Sequence, residues 1–144
     1  MADLFEGIHT AENDERFNMP YTPGIKVTGG HVVYLAGVTA APVYHSHPHV
    51  SSEFDGIPAD PAQQAEMALE NLRAVAEAAG GSLASVVEVT RYIVDIDINQ
   101  DAINRVMGVA FGDHRPATTT VEVARLATDP RLVLELKAVA VVPG

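Results

Sequence analysis

The chain of 144 residues contains no cysteine and no tryptophan, and it has 9 lysine and arginine residues against 19 aspartate and glutamate residues. The lack of cysteine excludes disulfide bonds, thiolate metal ligands and cysteine nucleophiles. Nucleic acid is an unfavourable partner for a net charge of −10, because phosphate binding needs clustered cations. No segment approaches the roughly 20 apolar residues that span a bilayer. We therefore expect a cytoplasmic protein that contacts neither nucleic acid nor membrane.

The length predicts a single domain over residues 1–144. Residues 1–18 are acidic and polar and are expected to form an N-terminal extension. Residues 40–59 are rich in proline and histidine and are expected to form a long loop. The remaining pattern is strand, strand, helix, strand, helix, strand, strand, which is typical of an α+β fold.

Two helices have clear boundaries in the sequence. The first is predicted to follow Asp60 as N-cap, with Pro61 in its first position and Gln63 completing a capping box. Gly80 ends it. The second is predicted over about 99–111, because apolar residues recur there at helical spacing.

Runs rich in β-branched residues predict strands at 24–27, 31–36, 86–94, 118–123 and 131–141. The first two flank turn residues and are predicted to pair as a hairpin. The last strand is largely apolar on both faces. Because two helices can cover only one face of a sheet, the other face is expected to be covered by a second copy of the chain.

Several segments carry a family resemblance. Residues 114–126 read HRPATTTVEVARL, residues 133–140 read VLELKAVA and residues 90–94 read TRYIV. Asn104 in the second helix and the strand end at 34–37 match more loosely. Together these residues resemble the YjgF/RidA (reactive-intermediate deaminase) family, also called endoribonuclease L-PSP.

The resemblance implies a chorismate-mutase-like α+β fold, with a mixed sheet and two helices on one face. It implies a homotrimer whose sheets form a central barrel, with small-molecule sites at the subunit interfaces. It also implies hydrolysis of reactive enamines or imines at a C–N bond, which releases ammonia and needs no cofactor.

One position departs from the family pattern. The active branch carries an arginine after Pro-Ala that grips the substrate carboxylate, and Thr118 stands there in this chain. A hydroxyl supplies one hydrogen bond and no charge, so deamination of short 2-imino acids is expected to be slow. The alternative is a trimer that binds a small metabolite without catalysis. Ribonuclease activity, suggested by the older family name, fits poorly with the negative charge.

The resemblance implies that Glu135 is the catalytic carboxylate, which would position water or move a proton. Residues that would bind the substrate are Thr118, Thr120, Asn104, Tyr21 and Tyr92. Thr118 and Thr120 lie two residues apart and so share a strand face.

Three histidines, His45, His47 and His49, alternate within the long loop. In an extended chain they project to one side, where they would bind an anionic ligand, pack against a neighbouring subunit, or hold a zinc or nickel ion. Because the sequence offers no cysteine and no obvious fourth ligand, we expect no bound metal. We assign these residues to ligand contact, with packing against a neighbouring subunit as the alternative.

Overall fold

A computed structural model describes residues 3–144. The strands and helices follow in the order β1 Phe5–Ile8, β2 Gly24–Val27, β3 His31–Val38, α1 Pro61–Ala78, β4 Val86–Ile93, α2 Ile96–Phe111, β5 Ala117–Glu122 and β6 Leu134–Val142. Short 3-10 helices lie at Ser51–Phe54 and Leu83–Ser85. Within the described residues, no helix is long and apolar enough to cross a membrane.

The main sheet has the strand order β3-β6-β4-β5. Strand β6 runs antiparallel to both of its neighbours, and β4 and β5 are parallel and joined by α2. The predicted mixed α+β architecture is therefore confirmed.

The predicted hairpin between the second and third strands is wrong. Strand β2 pairs with β1, so that Phe5 lies opposite Val27, and β3 pairs with β6, so that Tyr34 lies opposite Val139. Gly30 adopts a φ of +76° between β2 and β3. The longer β3 pairs with the largely apolar β6, and β2 pairs with a segment inside the predicted extension that was not recognised as a strand.

Helix α1 begins where its capping residues predict. The Asp60 carboxylate accepts a hydrogen bond from the Ala62 amide at 3.1 Å, and Pro61 occupies the first helical position. Gly80, at a φ of +92°, follows the end of the helix. The buried residues of α1 face the sheet. They are Gln64, Ala65, Ala68, Leu69, Leu72 and Ala76.

Helix α2 begins at Ile96, three residues before the predicted start. Its N-cap, Asp95, has a left-handed φ of 47° and gives no side-chain cap. The Glu122 carboxylate instead accepts a hydrogen bond from the Ile96 amide at 3.0 Å. This cap comes from a distant strand, so local sequence could not show it.

The two helices pack on one face of the sheet and form the main core there. The opposite face stays open at several large apolar side chains: Tyr34 is 78% exposed, Val32 45% and Val121 39%. Apolar area of this kind usually marks an interaction surface.

Candidate functional site

A cavity of about 370 Å³ opens between α2 and the parallel strands β4 and β5. Its polar lining consists of Tyr21, Arg91, Gln100, Asn104, His114, Arg115, Thr118 and Thr120. Among the described residues, no aspartate or glutamate lines this cavity, although the chain carries a net charge of −10. A cationic cavity in an acidic protein is suited to a small anionic ligand.

Arg91 is the most buried cation of this cavity. The residue is 8% exposed, and it lies on β4 between the buried residues Val89 and Ile93. Its Nε donates a hydrogen bond to Oγ1 of Thr120 at 2.9 Å, and its Nη1 approaches Sδ of Met107 at 3.6 Å. Neither contact neutralises the guanidinium charge.

Burial lowers the pKa of the Arg91 guanidinium. Among residues 3–144, no carboxylate lies within ion-pair distance of it. A desolvated charge without a counter-ion is unfavourable in a folded protein. The arrangement therefore indicates that an anion completes the site.

The two threonines of β5 line the cavity, as expected, but use their hydroxyl groups differently. Thr118 Oγ1 donates to the Pro116 carbonyl at 3.0 Å, so its proton is occupied and it can only accept from a ligand. Thr120 Oγ1 accepts from Arg91, so its proton remains available to donate. Thr120 is therefore the better hydrogen-bond donor for an anion.

The segment before β2 brings Tyr21 to the cavity. The Thr22 amide donates to the Pro116 carbonyl at 3.4 Å, and Thr22 Oγ1 donates to the Arg115 carbonyl at 2.5 Å. Arg115 Nη1 donates in turn to the Met19 carbonyl at 2.7 Å. These bonds fix the segment against the start of β5.

Asn104 is exposed on α2 and borders the same cavity. Met107 and Gly108 follow it by three and four residues, so all three lie on the cavity side of the helix. Four of the predicted ligand residues are therefore brought together: Tyr21, Asn104, Thr118 and Thr120.

Glu135 and Tyr92 lie on the other face of the sheet. They are paired across β4 and β6, one position from the pair Arg91 and Leu136, whose Leu136 belongs to the helix-facing core. Because successive side chains alternate, Glu135 cannot reach the Arg91 cavity of its own subunit. Its side chain lies against Gly37, where an added Cβ would stand 2.5 Å from Oε2. Burial raises the pKa of Glu135.

The three loop histidines also lie outside the Arg91 cavity. They form their own cluster, in which the ring centroids are 4.8 to 5.2 Å apart. A separate groove of about 530 Å³ lies between this loop and α1. Three acidic side chains border the groove, Glu53, Glu66 and Glu70, so it is unsuited to an anion.

The sequence analysis did not predict four of the polar residues that line the cavity: Arg91, Gln100, His114 and Arg115. Arg91 is the most buried cation among them. Its signal was a cation at a position where β-strand alternation demands an apolar core residue, between Val89 and Ile93.

Comparison with known proteins agrees with this architecture. The model of the endoribonuclease L-PSP family matches residues 14–142. A RutC family protein of Pyrococcus abyssi is 35% identical over 121 residues, which cover 84% of this chain and 85% of that protein. The 2-iminobutanoate/2-iminopropanoate deaminase of Escherichia coli K12 is 30% identical over 125 residues, which cover 85% and 87%.

Among solved structures, that of E. coli TdcF with bound serine is 31% identical. The match covers 94% of this chain and 98% of that one, with a TM-score of 0.63. The chain therefore belongs to the YjgF/RidA family, the endoribonuclease L-PSP family. The names of its relatives support a general role in deamination.

Proposed function

We propose that this chain hydrolyses a small imine or enamine that carries a carboxylate, and that Arg91 holds the carboxylate in place of the arginine missing at Thr118. The single observation that carries the proposal is the buried, unpaired Arg91 guanidinium in a cavity without acidic lining among the described residues. A planar guanidinium suits a carboxylate because it offers parallel donors in a fixed geometry.

The names of the relatives support this class of substrate. The 2-imino acids in the name of the E. coli deaminase carry a carboxylate next to the imine carbon. Serine, which is bound in the TdcF structure, also carries a carboxylate. Strand β4 supplies the cation here and β5 supplies the hydroxyls of Thr118 and Thr120. The charge lost at position 118 is thus recovered from the neighbouring strand of the parallel pair.

The chemistry needs only water and a group that moves protons. Water adds to the imine carbon, the C–N bond of the resulting carbinolamine breaks, and ammonia leaves as a ketone forms. We assign proton transfer to Glu135, because burial raises the pKa of this carboxyl and so favours its proton-carrying form. The reaction is proposed to be cytoplasmic and cofactor-free.

Glu135 must then come from a neighbouring subunit, because it faces away from the Arg91 cavity of its own. A head-to-tail ring places the same face of each subunit against the cavity of the next. The exposed Tyr34 and Val32, which lie on this face, support such an assembly. We propose a homotrimer with Arg91 and the partner's carboxylate in one cleft.

The test measures the rate at which 2-iminopropanoate decays. An amino-acid oxidase generates the imine, and semicarbazide traps what remains of it. The protein should accelerate the decay, and Glu135→Gln should lose most of the acceleration while binding serine or pyruvate like the wild type.

The second candidate is a trimer that binds a carboxylate metabolite without turnover. The observation that favours it is the separation of Glu135 from the cavity within one subunit. Calorimetric binding of serine together with an uncatalysed rate of imine decay would support this candidate against the first.

A further inference from the structure

The histidine cluster is the strongest chemical feature outside the Arg91 cavity. His45, His47 and His49 each offer one ring nitrogen, and these three atoms all lie within 4.8 Å of one another. The side chains come from a single short segment with one residue between successive histidines.

Phe54 and Glu53 hold this segment in place. Phe54 is 1% exposed, and its ring lies 5.2 Å from the ring of His45 and 5.8 Å from that of His49, edge-on in both cases. The Glu53 carboxylate accepts hydrogen bonds from the Ser46 amide at 3.0 Å and from Ser46 Oγ at 3.1 Å. The histidine rings are therefore packed against a buried aromatic ring, and hydrogen bonds fix the backbone of their segment.

The hydrogen bond of His45 fixes which of its nitrogens is free. Its Nδ1 lies 2.8 Å from the Pro42 carbonyl oxygen. A carbonyl can only accept, so Nδ1 is the donor, and in the neutral imidazole Nε2 then carries the lone pair. Histidines that bind metals are commonly oriented by a second hydrogen bond of this kind.

We propose that His45, His47 and His49 form a binding site for a divalent transition metal, with Zn²⁺ as the best-suited ion. Three imidazole nitrogens are ligands for zinc, nickel or copper and not for magnesium or calcium. A tetrahedral zinc site needs Zn–N distances of about 2.0–2.1 Å, which places ligand atoms roughly 3.3 Å apart. The widest separation of 4.8 Å must therefore shrink by about 1.5 Å, which the exposed side chains of His47 and His49 permit.

Three protein ligands leave one coordination position open to water or an exogenous anion. The net charge of −10 favours a bound cation. None of the three histidines lines the Arg91 cavity of its own subunit. The proposal departs from our sequence-based expectation of no metal, which was made without knowing where the three rings point.

The test is titration of the metal-free protein with Zn²⁺ by calorimetry. We expect one site per chain in the wild type. The double variant His47→Gln/His49→Gln removes two ligands that make no recorded hydrogen bond within the described residues. Loss of an outer-shell partner alone costs roughly 10- to 100-fold in metal affinity, so the double variant should lose more than about 100-fold. His9→Gln, an exposed histidine outside the cluster, is the matched control and should bind like the wild type.

Two further measurements make the result decisive. Circular dichroism should show the same fold and melting temperature for all three metal-free proteins. Co²⁺ in place of Zn²⁺ should give visible ligand-field absorption in the wild type and the control but not in the double variant. Equal Zn²⁺ affinity in the double variant, or no saturable binding by the wild type, would overturn the proposal.

Discussion

Arg91 Nε donates a hydrogen bond to Oγ1 of Thr120 at 2.9 Å, across the parallel pair β4 and β5. The bond orients the guanidinium and leaves its Nη2 without a partner among the residues that the structure describes. Strand β4 thus supplies the cation, and Thr120 of the neighbouring strand β5 orients its guanidinium group. This hydrogen bond helps to suit the cavity to an anion.

Replacing Arg91 with methionine should leave the ligand-free protein as stable as the wild type or more so. The variant removes a buried cation that has no counter-ion among the described residues of its own subunit, and it places a flexible apolar side chain next to Met107. Thermal unfolding at pH 7 measures the difference, with Arg105→Met on the exposed face of α2 as the control. A loss of several degrees specific to Arg91→Met would show that the charge stabilises the fold.

Loss of the Thr120 hydroxyl should weaken ligand binding, because this hydroxyl orients the Arg91 guanidinium. Thr120→Val keeps the branched shape but removes the acceptor, and a hydrogen bond to a charged group contributes about 1.5–3 kcal/mol. A double-mutant cycle with Arg91→Met, read by calorimetry with serine, should give a coupling energy of that order. Thr119→Val, exposed on the same strand, should bind like the wild type. Additive effects of Thr120→Val and Arg91→Met would contradict the proposed orientation.

The stability effect of Glu135 should depend on pH. Burial raises its pKa above the unfolded value, so the native state holds this proton more tightly. That contribution to stability is complete below the unfolded pKa of about 4.3 and is lost as pH rises through the folded pKa. The neutral variant Glu135→Gln should therefore melt higher than the wild type at pH 8, with the difference shrinking toward pH 4. A difference that is constant across this range would exclude the carboxyl as its source.

The open sheet face should hold the assembly together. Light scattering at micromolar concentration should give three times the chain mass of 15.3 kDa. Tyr34→Asp places a charge on the exposed apolar face and should produce a folded monomer. Val109→Asp, on an equally exposed position of α2, should leave the trimer intact. A wild-type monomer would remove the basis for a shared cleft.

Much of the fold could be predicted from sequence, because its signals are local. Asp60 and Pro61 mark the start of α1, and alternation marks the strands. The failures are non-local: the pairing of β2 depends on Phe5–Ile8, and the cap of α2 comes from Glu122. Neither partner is near in sequence to the element it completes.

The site was predictable in part for the same reason. The family block shows Thr118 and Thr120, and their two-residue spacing shows that they share a face. The sequence does not show that Glu135 lies on the other face, because β4 separates β5 from β6. It also does not show that Arg91 reaches a cavity beside Met107, since that depends on how α2 packs.

The most direct test is the rate of 2-iminopropanoate hydrolysis by the wild type, by Arg91→Met and by the double variant Arg91→Met/Thr118→Arg. Truncating one partner of a buried charge pair costs roughly 2–5 kcal/mol, so Arg91→Met should be about 30- to 4,000-fold slower. Thr118→Arg should restore part of the rate in that background, because it returns a guanidinium to the same cavity. Arg91→Met acting as fast as the wild type would contradict the assignment of Arg91 as the carboxylate-binding residue.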